Sequence, residues 1–129
     1  MRLTKQVGKE LALEAAFFAA SAAEIALCHG NTLLLTALMI ATGVLAMAFL
    51  PGRGGVGFYV TGAAVGTVGE ALCVSAGAWQ YAHPSVLGIP AWLPFAWGQV
   101  ILLVKAIAET SAKIRPERSG DALRPSDPP

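Results

Sequence analysis

The chain has 129 residues, of which 55% are hydrophobic and only 13% charged, with a formal net charge of +1. Its mean hydropathy is +0.60, whereas a soluble domain carries about 25% charged residues. These values exclude a soluble globular enzyme and a basic nucleic-acid-binding surface, and they point to an integral membrane protein of the all-α class. The two cysteines, Cys28 and Cys73, form neither a CxxC pair nor a disulfide framework.

The N-terminal MRLTKQVGKELALEAAFF resembles the start of a signal peptide, but Glu10, Glu14 and Glu24 interrupt the apolar core and no clean cleavage site follows. The segment is therefore expected to be retained. A membrane span needs about 20 mostly apolar residues, and four candidates follow in order. The first is Leu11 to Cys28, rich in alanine. The second, Thr32 to Leu50, is free of charge and stops at Pro51-Gly52-Arg53-Gly54-Gly55. The third, Val56 to Gln80, is glycine-rich and holds Glu70. The fourth is Ala91 to Ala108. Residues 1–110 thus form one four-helix domain, and 111–129, polar with several prolines, is expected to be a disordered cytoplasmic tail.

Lys and Arg sort by connection. Arg2, Lys5 and Lys9 precede the first span, Arg53 lies between the second and third, and Lys113, Arg115 and Arg118 follow the fourth. The positive-inside rule then places both termini and the glycine turn in the cytoplasm, around an antiparallel bundle. The expected location is a bacterial cytoplasmic membrane.

Gly77 to Trp97 holds Trp79, Trp92, Trp97, Tyr81, His83 and three prolines, Pro84, Pro90 and Pro94, and no charged residue. Aromatic residues with a polar tip favour the membrane interface, and proline bends the chain where helices end and restart. An aromatic belt followed by a helix start accounts for most of this segment.

Glu70 is the most informative side chain. An acid within a span is costly, so it should face the bundle and find a partner or keep its proton. Thr67, Gly66, Cys73 and Gly77 share its helical face, and Gly62, Gly66 and Gly69 make a small-residue stripe that admits a close helix or a ligand. Glu24, His29 and His83 belong to the same outer half, but their spacing argues against a metal site, and none is expected. An ion pair between Glu14 and Lys105 would tie the cytoplasmic ends of two spans, with snorkelling of Lys105 to the headgroups as the equal alternative. Gln99 is a further buried polar group. No nucleophile motif, phosphate loop or histidine box occurs, so no cofactor is expected and catalysis is the less favoured reading.

The pattern G-x-x-Q-Y-x-x-P-x-x-L-x-I-x-x-W-L-P is met by Gly77, Gln80, Tyr81, Pro84, Leu87, Ile89, Trp92, Leu93 and Pro94. It resembles the junction before the last helix of the Insig (insulin-induced gene) family, and the likeness extends over residues 15–108. That resemblance implies four of the six helices of a bundle that holds a sterol or another lipid, such as diacylglycerol in microbial relatives. Leu50 and Pro51 stand where the animal proteins carry an acidic partner-binding residue, and Glu70 replaces an uncharged one. A looser likeness, through Glu70, Gly77, Tyr81, Pro90 and Trp97, is to bacterial carotenoid-biosynthesis membrane proteins.

Three functions follow as expectations. The first is non-enzymatic binding of an amphiphilic lipid or isoprenoid within the bundle, with a membrane-protein partner or a second copy as its expected company. Its ligand residues would be Glu70, Thr67, Gly66, Trp79, Tyr81, Trp92 and Trp97, with Gly62, Gly69, Gly77, Pro84, Pro90 and Pro94 structural. The second is a membrane enzyme acting on an isoprenoid or carotenoid, with Glu70 as general acid. The third is a structural subunit of a membrane complex.

Overall fold

The computed structural model describes residues 4–114. The chain forms four helices: α1 (Lys5–Cys28), α2 (Thr32–Phe49), α3 (Gly55–Ser75) and α4 (Leu93–Ala112). Each is long and apolar enough to cross a membrane. The expected disordered tail lies outside the described residues from 115 onward.

The helix ends follow from local chemistry. Thr4 caps α1, its hydroxyl accepting from Val7 N at 3.3 Å. Asn31 caps α2, its Oδ1 accepting from Leu34 N at 3.0 Å. Both caps satisfy amides that have no partner inside the helix. Leu50 turns extended before Pro51, as a residue preceding proline must. Gly52 (φ 116°) and Gly54 (φ 76°) then reverse the chain in a backbone region that side chains disfavour.

Three boundaries differ from expectation. Helix α1 begins at Lys5 rather than Leu11, because the Thr4 cap lies further upstream. Helix α4 runs to Ala112, and Pro94 sits in its first turn, where a missing N–H costs nothing. Helix α3 ends at Ser75 rather than Gln80. Gly77 takes φ 76° there, and bonds from Gly77 N to Val74 O (3.0 Å) and Ala78 N to Cys73 O (3.0 Å) close the helix. The segment from Gly77 to Trp92 is therefore a loop. Its tip is a tight turn with Leu87 at φ 52° and Gly88 at φ 77°, between mutually bonded Val86 and Ile89.

Helix α4 is the hub and packs on all three others. Helix α3 lies almost wholly on α4. Glycines permit this approach. A Cβ on Gly62 would stand 2.5 Å from Ile101 and 2.9 Å from Trp97 O, one on Gly66 would overlap the Trp97 ring, and one on Gly98 would stand 2.8 Å from Tyr59. Tyr59 also reaches Gly43 of α2. Two apolar clusters hold the bundle, one around Ala46, Leu50, Tyr59 and Leu102 and one around Leu35, Met39, Ile89, Trp92 and Leu93.

Polarity is partly inverted relative to a soluble domain. Leu27, Leu33, Val65 and Leu72 are exposed, while Glu10, Glu14, Gln99, Lys105 and Thr110 are buried. The expected Glu14–Lys105 pair does not form. Lys105 Nζ bonds Glu109 one turn away at 2.7 Å, under the Gly52 turn and over the Phe58 ring, and Glu14 Oε1 accepts from Thr110 at 2.5 Å. Intrahelical i,i+4 geometry gives Lys105 a closer partner than a helix opposite could.

Candidate functional site

A cleft of about 450 Å³ opens along the α3–α4 seam. The floor is Gly62 and Gly66 against Trp97 and Ile101, and the walls are Thr61, Val65, Gly69 and Cys73. It exists because glycine leaves one side of α3 without bulk while Trp97 and Ile101, four residues apart on α4, fill only part of the space. Val65 and Gly69 are exposed, so the cleft opens sideways at the surface of the bundle and not into its interior.

Glu70 and Trp79 close one end. Because α3 stops at Ser75, the loop folds back over the helix end. Trp79 Nε1 donates to Glu70 Oε2 at 3.1 Å, and Tyr81 OH donates to the same oxygen at 2.8 Å. Glu70 Oε1 accepts from no described residue. Tyr81 is held in turn by Trp92, whose ring meets it edge to face at 6.4 Å between centroids. Burial, reinforced by the Glu70 hydrogen bond, pushes the Tyr81 phenol up to about 12, so it remains a donor near neutral pH. Glu70 lies five residues before the end of α3, roughly 7 Å from it, which is half the depth that a helix running to Gln80 implies.

Of the residues expected to bind a ligand, Gly66, Glu70, Trp79 and Trp97 line the cleft, and Tyr81 touches it through Glu70. Trp92 is buried behind Tyr81 and lines a separate pocket of about 120 Å³ with His29, His83 and Pro90. Thr67 lies off the cleft, its Oγ1 buried with no partner. Gly62 and Gly66 are closely packed, whereas a Cβ on Gly69 would meet nothing, so Gly69 is part of the opening and not of the helix contact. Pro90 is buried in the loop, Pro84 is exposed, and Gly77 and Pro94 end and start helices. Glu24 and the histidines do not join Glu70, since Glu24 accepts from Thr42. Among the described residues no three metal-ligating side chains converge.

Thr61, Val65 and Ile101 are lining residues that sequence reasoning missed. Val65 and Thr61 sit about one and two turns before Gly69 on the same side of α3, which helical spacing could have found. Ile101 could be found only by knowing that α3 packs on α4.

Comparison with protein-family models, with curated proteins and with solved structures finds no match to this chain.

Proposed function

We propose that this chain is an integral membrane protein with antiparallel helices and both termini cytoplasmic, and that its α3–α4 cleft holds an amphiphilic lipid or isoprenoid without chemical change. The observation that carries the reading is an apolar cleft ending at one polar clamp, the Glu70 carboxyl under Trp79 and Tyr81. Ligand sites are mostly apolar with a few placed polar groups, in volumes of about 300–1,000 Å³. From Thr61 to Cys73 the lining extends over twelve residue steps of α3, about 18 Å. That is close to one leaflet of a hydrocarbon core of about 30 Å. The chain of the lipid packs on Gly66, Gly69, Trp97 and Ile101, and its headgroup donates to Glu70 Oε1.

Two donors converging on Glu70 Oε2 favour an acceptor over an acid that hands a proton to an alkene, so binding is preferred to isoprenoid chemistry. Mass spectrometry of lipids retained through mild-detergent purification tests the proposal. Wild type should retain a defined amphiphile. Glu70→Ala removes one hydrogen bond, worth about 1 kcal/mol or roughly fivefold in retention. Gly69→Leu fills open space and should expel the lipid while leaving the fold intact. Identical lipids in identical amounts from all three proteins would end this reading.

A further inference from the structure

Glu70 has no basic side chain in its part of the molecule. Residues 54–104 contain neither Lys nor Arg, and the run from Glu10 to Gly52 contains none either. The nearest along the chain are Arg53 and Lys105. Arg53 precedes α3, whose first residue, Gly55, stands about 22 Å along the helix from Glu70. Lys105 Nζ lies against the Gly52 turn, at that same far end, and is already held by Glu109 at 2.7 Å. His29 and His83 line the separate pocket behind Tyr81 and not the cleft.

The surroundings of this carboxyl distinguish one headgroup from another. Both of its donors, Trp79 Nε1 and Tyr81 OH, are neutral and both reach Oε2, which leaves Oε1 with no partner among the described residues. Two indoles line the cleft at this end. Trp79 stands beside the carboxyl it bonds, and Trp97 packs on Gly66, one turn before Glu70. A hydroxyl headgroup would use Oε1 and gain nothing from the ring faces. A phosphate or a carboxylate would meet like charge with no cation to offset it. A quaternary ammonium has no N–H to give to Oε1. A protonated amine uses both features. An N–H from a cation to a carboxylate is roughly twice as strong as a neutral hydrogen bond, and indole is the side chain whose face best attracts a cation.

We propose that the amphiphile of the α3–α4 cleft is cationic, a long apolar chain that ends in a protonated primary or secondary amine. This rests on the cleft reading above and names its ligand class. The ammonium donates to Glu70 Oε1 between the Trp79 and Trp97 rings, and the chain runs along Gly69, Gly66 and Ile101. It brings to Glu70 the positive charge that no Lys or Arg of the neighbouring segments supplies. Trp79 and Tyr81 are positioning residues, which fix Oε2 and leave Oε1 to the ligand. A charged donor raises the roughly fivefold loss expected of a neutral bond to tenfold or more.

The test is a scintillation proximity assay on the full chain in mild detergent at neutral pH, with tritiated dodecylamine as the probe and unlabelled dodecanol and dodecanoate as competitors. An alkylamine resembles the lysine side chain, with its ordinary value of about 10.4, and so is protonated there. At about 1.5 Å per bond its chain fits the length of the cleft. Wild type should bind the amine at least tenfold more tightly than the alcohol, and dodecanoate should compete weakest. Glu70→Gln keeps an oxygen for Trp79 and Tyr81 but loses the charge, so the amine and the alcohol should come within about twofold of each other. Gly69→Leu should lose both. Equal binding of amine and alcohol by wild type, with both lost in Gly69→Leu, would overturn the cationic class and leave the cleft reading standing. An amine preference undiminished in Glu70→Gln would likewise overturn the class. Binding of neither probe, or binding that Gly69→Leu leaves unchanged, would overturn the cleft reading and the class with it.

Discussion

Gly66 and Gly69 lie on the same helix, less than one turn apart, and Gly→Ala at either should bring the same gain in helix propensity, about 1 kcal/mol. Their surroundings differ completely. A Cβ on Gly66 falls within the Trp97 side chain, including a 2.7 Å approach to Trp97 Cβ, whereas a Cβ on Gly69 meets nothing within 4 Å. Trp97 cannot swing its Cβ away, because that atom is fixed by the α4 backbone, so α3 and α4 must move apart. Overpacking of this kind costs about 1–3 kcal/mol. Helix α3 has little to fall back on, since most of its packing is with α4. Gly69→Ala should therefore be neutral to mildly stabilising, and Gly66→Ala should sit about 1–3 kcal/mol below it, with the common propensity gain cancelling from the difference. Gly62→Ala should behave like Gly66→Ala, since the Trp97 carbonyl at 2.9 Å is also immovable. Reversible unfolding in mixed micelles titrated with a denaturing detergent reads these values. Equal stabilities for Gly66→Ala and Gly69→Ala would refute the close packing of α3 on α4, and with it the floor of the cleft.

Gln99→Leu removes the Ser21 and Met39 hydrogen bonds that join three helices, and at about 0.6 kcal/mol for each such bond in a membrane it should lower stability by about 1 kcal/mol in the same titration. For Tyr81, whose phenol is pushed up to about 12, the neutral form is favoured by the fold. Any stability it contributes is fully present below the ordinary tyrosine range and lost as pH rises through the folded value, so in a Tyr59→Phe background its ultraviolet titration should lie near 12 and move down in Glu70→Ala while staying above the ordinary range, because burial remains. With Cys28 and Cys73 replaced by serine, a cysteine at Ser85 should react with an impermeant thiol reagent in intact cells and one at Ser111 should not; the opposite pattern would reverse the proposed orientation.

The existence and order of the four helices were legible in the sequence because long apolar runs separated by Pro and Gly leave few alternatives. The end of α3 was not. Val56 to Gln80 reads as one apolar run, and only the positive φ of Gly77 and its backbone bonds reveal that the helix closes at Ser75. That closure makes the clamp, since it lets Trp79 and Tyr81 fold back onto Glu70, a side chain that sequence reasoning found by its cost alone. The acids of α1 show the opposite failure. Glu10, Glu14 and Glu24 were visible as interruptions of an apolar span. Gln6 is a local partner of Glu10, but Glu14 and Glu24 meet Thr110 and Thr42, 96 and 18 residues away on other helices, which no local pattern encodes.

Helix α4 connects the two features. Trp97 and Ile101 face α3 and form the cleft, while Gln99 bonds Ser21 of α1 and the Met39 carbonyl of α2, and Thr110 bonds Glu14 of α1. One face of α4 is thus matched to small residues and the other to hydroxyls and carboxyls. A rotation of α4 about its axis would therefore disturb both at once, moving Trp97 against Gly66 and drawing Gln99 from Ser21.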